Sequence, residues 1–336
     1  MADPDLAPDP DLRIAALGGG HGLYATLTAM RYLTPNVTAV VTVADDGGSS
    51  GRMRAELDAI PPGDLRMALA ALMCAPAALA ARGDGDARRR HELWAGTLQH
   101  RFGGQGALAG HPIGNLLLAG LTEVLGDPVA ALDELIAIFD VDGRVLPMSA
   151  VPLEIEADVT GLESDPRMSR VIRGQVAVAT TVGTVRRVRL LPTDPPTTPE
   201  AITAIAEADL VVLGPGSWFS SVIPHVLVPD QLAALAATSS PKVLVVNLAP
   251  EPGETPGFSV ERHLHVLHAH ADAFGVDHVV VDAASVPAGR ERDHLERAAA
   301  LFGARLHVGD LAVPGRHVHD PAKLATLVNQ LLDGEP

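Results

Sequence analysis

The feature that most constrains this chain is a recurring unit: a short β-branched run, a glycine-rich break, then a helical pattern. Arg13 to Leu17 ends in Gly18-Gly19-Gly20-His21-Gly22 and passes into a helix through Arg31. Val37 to Ala44 (VTAVVTVA) is apolar on both faces, as a strand covered from both sides must be, and ends in Asp45-Asp46-Gly47-Gly48-Ser49-Ser50-Gly51. The unit returns after residue 199, with strands at 209–213, 242–247, 277–282 and 305–308 and helices at 199–208, 230–238, 259–274, 290–302 and 321–333. Such alternation predicts a Rossmann-like, doubly wound, mostly parallel sheet with helices on both faces. Helices are also expected at 52–59, 65–81, 88–102, 113–125 and 128–139. Between the two halves, 143–191 has shorter periods and more β-branching, which reads as a small antiparallel β insertion, and Pro192 to Pro199 is a linker.

The 336 residues allow one large α/β domain or two; the continuity of the rhythm favours one, spanning 13–333. Residues 1–12, rich in Asp and Pro, read as a disordered leader. Lys plus Arg number 25 and Asp plus Glu 41, so the formal charge is 25 − 41 = −16, which argues against a nucleic-acid groove. A single cysteine, Cys74, excludes a disulfide framework and a Cys-based zinc site. The leader has neither a basic n-region nor an apolar h-region. No stretch reaches about 18 apolar residues, so no membrane span is expected and the expected location is cytoplasmic.

In an open parallel sheet, ligands sit beyond the carboxyl ends of the strands, near the point where strand order reverses. Three strand ends carry unusual loops. LGGGHG (17–22) offers Gly19, Gly20 and Gly22 as a close backbone approach to a phosphate, met by amides at a helix N-terminus. Leu23 stands where the dinucleotide fingerprint needs its third glycine, so that motif is absent. His21 either donates to the phosphate or faces solvent. ADDGGSSGR (44–52) places two carboxylates, Asp45 and Asp46, where they can hold hydrated Mg²⁺ or accept from sugar hydroxyls, with Gly47, Ser49, Ser50 and Arg52 beside them. The same stretch matches the nucleophile elbow G-x-S-x-G, although two carboxylates directly upstream would oppose an oxyanion. LGPGSW (213–218) supplies Gly214, Gly216 and Ser217, with Ser220 and Ser221 following.

NLAPEPGET (247–255) leaves the next strand with Asn247, Glu254 and Thr255, and could close the same pocket. In GHPIGN, His111 and Asn115 are four apart and project from one side of a helix start, either as ligand groups or as caps. Asp64 and Arg66 in PPGDLR read first as a helix cap, with a phosphate contact as the alternative. The run HLHVLHAH (263–270) splits its histidines between two flanks of an apolar stripe, so it forms no three-ligand metal cluster. A P-loop is absent.

Taken in order, GGGHGL, TVADDGGSSGR, PPGDLR, GHPIGN, GPGSW and NLAPEPGET resemble the gluconeogenesis factor (YvcK-like) family over roughly 13–333. That family is similar in fold to CofD, the Mg²⁺-dependent 2-phospho-L-lactate transferase of deazaflavin-coenzyme synthesis. The resemblance implies a regulatory protein that binds UDP-sugars such as UDP-N-acetylglucosamine and serves cell shape and growth on gluconeogenic carbon. Protein partners in cell-wall or central carbon regulation and a homodimer accompany that reading. A CofD-type transferase acting on a deazaflavin acceptor is the alternative. The chain departs from the family at His21, where the glycine loop usually has threonine, at Trp218-Phe219, and at Ala249-Pro250-Glu251.

Overall fold

The computed structural model describes residues 6–74, 85–165, 167–251, 254–255, 257–286 and 289–334. Seven parallel strands form the main sheet in the order β10-β9-β8-β7-β1-β2-β3: β1 (Arg13–Gly18), β2 (Asn36–Val41), β3 (Arg144–Pro147), β7 (Leu210–Leu213), β8 (Lys242–Val245), β9 (His278–Asp282) and β10 (Arg305–Gly309). A separate antiparallel sheet has the order β5-β4-β6, with β4 (Glu154–Thr160), β5 (Ser169–Arg173) and β6 (Thr184–Leu191). The insertion is therefore narrower than the sequence suggests. Residues 144–147 extend the parallel sheet beside β2; a strand of only four residues, Arg-Val-Leu-Pro, carries too little periodicity to tell the two sheets apart.

The strands are apolar because both faces are covered. Ile14 through Leu17 of β1 are at most 1% exposed. Burial of each of the larger side chains, Ile14 and Leu17, contributes roughly 1.5–3 kcal/mol. On one side α1 (Gly20–Met30) lays Leu23, Leu27 and Met30 against the sheet and packs beside α3 (Gly63–Met73). The part of the expected helix 65–81 beyond residue 74 lies outside the described residues. The ADDGG loop leads into α2 (Gly48–Leu57).

The leader departs from expectation over the residues described. Asp9 N–H donates to the Leu33 carbonyl (2.7 Å), Asn36 Nδ2 donates to the Pro10 carbonyl, and Leu6 packs against the core. A Pro-rich acidic composition measures the absence of a self-made core, and here the apolar anchor is supplied by the neighbouring domain.

β1 lies between β2 and β7, and the chain runs outward from it in both directions. The reversal of strand order thus falls at β1/β7. The loops leaving their carboxyl ends are 18–22 and 214–217.

Candidate functional site

These two glycine loops touch. A Cβ on Gly22 would stand 2.1 Å from the Pro215 carbonyl oxygen, so only glycine permits the approach. Beneath them, buried His225 donates from Nε2 to the Gly18 carbonyl (3.3 Å) while Nδ1 accepts from Gln231 (2.7 Å). Burial lowers its pKa to about 4, so the imidazole is neutral and the tautomer follows from the two partners.

Two adjoining basins open at the switch point. The first, about 370 Å³, is lined by Gly19 to Gly22, Thr42, Asp45 and Asp64 on one side and by Gly216, Ser217, Ser220, Ser221, Glu251 and Glu254 on the other. Gln175 and Ala179 reach it from the short helix Gln175–Ala179 of the insertion. The second, about 470 Å³, shares His21, Gly22, Gly216 and Glu251 and continues past Asn247 to Pro250 and His317 to His319.

The first turn of α1 carries no side-chain cap of its own. Its anionic partner comes from α3: the Asp64 carboxylate accepts from the Gly20 N–H. Asp64 reaches this place because Gly19 lacks a Cβ, which would lie 2.5 Å from Oδ2. Burial of the carboxyl group, then the Asp45 charge beside it, raises its pKa to about 7. Arg66, 4% exposed, stands behind these two acids; burial and the neighbouring Arg101 lower it to about 10, so it remains cationic. Gly114 of GHPIGN is explained by this arginine, since a Cβ there would come within 2.8 Å of Arg66 Cγ.

The two adjacent aspartates part company. Asp45 faces the cleft, with Oδ1 accepting from the Gly47 N–H (2.9 Å). Asp46 turns the other way and accepts from the Val176 N–H (2.9 Å), fastening the insertion to the sheet. Adjacent residues in extended chain point to opposite sides, so Asp45 and Asp46 do not form a joint Mg²⁺ ligand set. Among the described residues no group of three or more His, Cys, Asp or Glu side chains is placed to hold a metal ion.

Several other expected site residues lie behind the cleft. Ser49 is 4% exposed; its hydroxyl accepts from Asn115 Nδ2 (3.0 Å) and donates to His111 Nδ1 (2.8 Å). Burial and Arg52 hold the His111 pKa down, which suits an imidazole that accepts. This cluster ties α2 to the helix Ile113–Leu125 and lines neither basin. Ser49 is accordingly not presented as an elbow nucleophile. Ser50 is buried against Gly63, whose Cβ would be 2.4 Å from Oγ. Arg52 donates to the Ala109 carbonyl (3.0 Å).

On the opposite wall, Asn247 clasps the glycine loop by accepting from the Gly216 N–H and donating to its carbonyl, both 2.8 Å. The Gly214 carbonyl accepts from Thr26 Oγ1 (2.8 Å), and Thr255, fully buried, holds the Glu251 N–H (2.9 Å). Glu254 accepts from the Phe219 N–H (3.2 Å) and Ser220 Oγ (3.0 Å). The histidines of 263–270 are used separately: His263 packs edge-on against Trp218 at 5.0 Å, and His270 Nε2 accepts from the Val188 N–H (3.0 Å).

The cleft also contains residues that sequence reasoning passed over. Glu251 sits within a quoted motif yet carried no assignment. Thr42, which follows β2 and opens the quoted motif TVADDGGSSGR, likewise carried no assignment. Gln175 and His317 to His319 arrive from distant segments and had no local signal.

Comparison with known proteins now fits this geometry. The profile of the family described as 2-phospho-L-lactate transferase CofD matches residues 14–304. A Mycobacterium tuberculosis relative bearing the gluconeogenesis factor name is 67% identical over 316 residues, covering 94% of this chain and 89% of the relative. The gluconeogenesis factor of Bacillus subtilis is 32% identical over 337 residues, covering 95% and 98%. A crystal structure of a UPF0052 family member from Bacillus halodurans superposes with a TM-score of 0.81 at 30% identity, covering 96% of this chain and all of that one (100%). With its switch-point cleft, its paired glycine loops and these relatives, the chain belongs to the gluconeogenesis factor (YvcK/UPF0052) family of CofD-like proteins.

Proposed function

We propose that the cleft binds a nucleoside-diphosphate sugar, of which UDP-N-acetylglucosamine is the type, and that the protein is a regulator answering to that ligand. The carrying observation is that two amide-rich glycine loops, 19–22 and 214–217, converge on one basin. A diphosphate there meets backbone donors and the positive end of α1. The adjoining basin, with Leu248 to Pro250 and neutral His319, accommodates a nucleoside; burial lowers the His319 pKa to about 4. Asn247 serves such a ligand through the loop it clasps, and Asp45 through hydroxyls. The regulatory output requires ligand-bound and free forms to differ in affinity for a partner. Growth on gluconeogenic carbon and cell shape are the processes this reading assigns, with a homodimer and cell-wall or central carbon regulators as partners.

A Mg²⁺-dependent transferase is the second reading, favoured by the CofD profile match. Among the described residues neither basin is lined by Phe, Tyr or Trp, which a flat deazaflavin acceptor would stack upon. Mg²⁺ bound through one or two carboxylates and substrate phosphates would use Asp45.

Calorimetric titration with UDP-N-acetylglucosamine, with and without Mg²⁺, separates the readings when UDP, GDP and NAD are run alongside. Binding of the UDP-sugar without turnover is expected. Binding restricted to guanine nucleotides and dependent on Mg²⁺ would replace the proposal with the transferase.

A further inference from the structure

The antiparallel insertion reaches the cleft through the short helix Gln175–Ala179, which joins β5 to β6. Gln175 and Ala179 line the first basin, beside Asp45 and Met67, and none of these four lines the second. The helix is held from two sides. It packs on β4 with Val178 buried, and the Gly174 N–H before it donates to the Ile155 carbonyl (2.8 Å). From the main sheet, Asp46 Oδ1 accepts from the Val176 N–H (2.9 Å). Asp46 Oδ2 comes so close to Gly174 that a Cβ there would stand 2.4 Å away. The small sheet itself is tied elsewhere. The Leu153 N–H donates to the Val43 carbonyl (3.2 Å), and the Val188 N–H donates to His270 Nε2 (3.0 Å). Asp46 therefore aims the helix without carrying the fold of the insertion.

The helix brings the cleft an amide with nothing to bond. Gln175 offers two N–H donors and a carbonyl acceptor, and its side chain makes no hydrogen bond to the described residues. Gly47 separates this amide from Asp45: a Cβ on Gly47 would stand 3.8 Å from Gln175 Oε1 and 3.2 Å from Asp45 Oδ1. Asp45 can only accept once ionised, and it spends Oδ1 on the Gly47 N–H (2.9 Å). A carboxylate and an unpaired amide on either side of one glycine suit a ring rich in hydroxyls, since each hydroxyl both donates and accepts. Met67 and Ala179 beside them give its C–H face an apolar surface.

We propose that Gln175 determines specificity for the sugar of the ligand, and that Asp46 is the positioning residue that holds it there. This rests on the nucleotide-sugar reading. With the diphosphate at the two glycine loops and the nucleoside in the second basin, the sugar is left with the wall of Asp45, Met67, Gln175 and Ala179. The insertion is then the part of the chain that tells a nucleoside-diphosphate sugar from the bare nucleotide. The two adjacent aspartates divide that work, Asp45 meeting hydroxyls and Asp46 fixing the helix that supplies the amide.

Calorimetry with UDP-N-acetylglucosamine and with UDP, on wild type, Q175A, D46A and D46N, tests both assignments. Q175A is expected to bind the UDP-sugar about three- to tenfold more weakly, the worth of one or two hydrogen bonds between neutral groups. Its affinity for UDP should stay within about twofold, or about 0.4 kcal/mol. D46A should show the same selective loss, and D46N, whose amide oxygen still accepts from the Val176 N–H, should recover it. D46A and D46N carry the test if Q175A fails to fold, which thermal unfolding reports. An unchanged UDP-sugar affinity in Q175A would overturn the role of Gln175, and in D46A the role of Asp46. Equal losses for both ligands in a folded Q175A would place the nucleotide, and not the sugar, at this wall and overturn the inference. Wild type that binds neither ligand would sink the nucleotide-sugar reading and the inference with it.

Discussion

Two polar clusters, both built from motif residues, lie close to the switch point and have opposite characters. Ser49, His111 and Asn115 form a closed set behind the cleft, 4%, 8% and 1% exposed, with Ser49 joined to both neighbours. Glu251, Ser217, Ser220 and Glu254 form an open set on the cleft wall. A buried polar cluster whose members bond one another stabilises and positions, and here Asn115 Oδ1 is the one buried atom of the three side chains left without a partner. One that borders a cavity keeps hydrogen-bonding capacity for a visitor. Two motifs of equal prominence in the sequence thus carry different kinds of information, one about packing and one about chemistry.

Substitutions separate the two roles. The largest effect is expected where the two glycine loops meet: Gly22→Val forces a side chain into the Pro215 carbonyl. Overpacking of this kind costs about 1–3 kcal/mol, and separation of the two loops should abolish ligand binding; denaturant unfolding and calorimetry report the two parts.

Next, Asn115→Ala removes the donor to Ser49 and should cost about 1–3 kcal/mol of stability while leaving affinity within about twofold, or about 0.4 kcal/mol. A large loss of affinity with stability intact would reverse the assignment of the closed cluster.

Asp64→Asn acts through pH. The Asp64 pKa is raised from 3.8 to about 7 by burial and Asp45, so the folded protein binds the extra proton, and stability falls as pH rises between those values. The Asn variant should lose less stability across pH 4–7 than wild type, seen as a flatter plot of Tm against pH. An identical slope would mean that the carboxyl is solvated.

The smallest effect is expected from Arg52→Ala. Its guanidinium makes an exposed contact with the Ala109 carbonyl, and such surface changes stay within about 0.5 kcal/mol. A marked drop in ligand affinity would bring Arg52 back into the site.

Much of the fold is legible locally. VTAVVTVA announces a doubly covered strand, and Gly18 to Gly22 announces a strand-to-helix turn, because both depend on residues near one another in sequence. Residues 144–147 were not legible, since a strand of one arginine and three apolar residues fits either sheet and only the β2 edge selects the parallel one. Among the site residues, Gly19 to Gly22, Asp45, Gly216, Ser217 and Glu254 do line the first basin. Asp46, Ser49, Ser50, Arg52, His111 and Asn115 line neither basin. A motif records that a residue type is needed, without recording whether a ligand or a neighbouring helix needs it.

The strand–helix alternation, the glycine loops at the strand ends and the family are all properties of local pattern and composition, and so can be read along the chain. Which of two adjacent aspartates faces the cleft and which fastens the insertion emerges from the folded chain alone. It alone brought Glu251 and Ser217 to the wall of one basin and Asp64 to the amide of Gly20. Those pairings come from loops on different elements, and their protonation depends on burial and neighbouring charge, which exist only once the chain has closed around them.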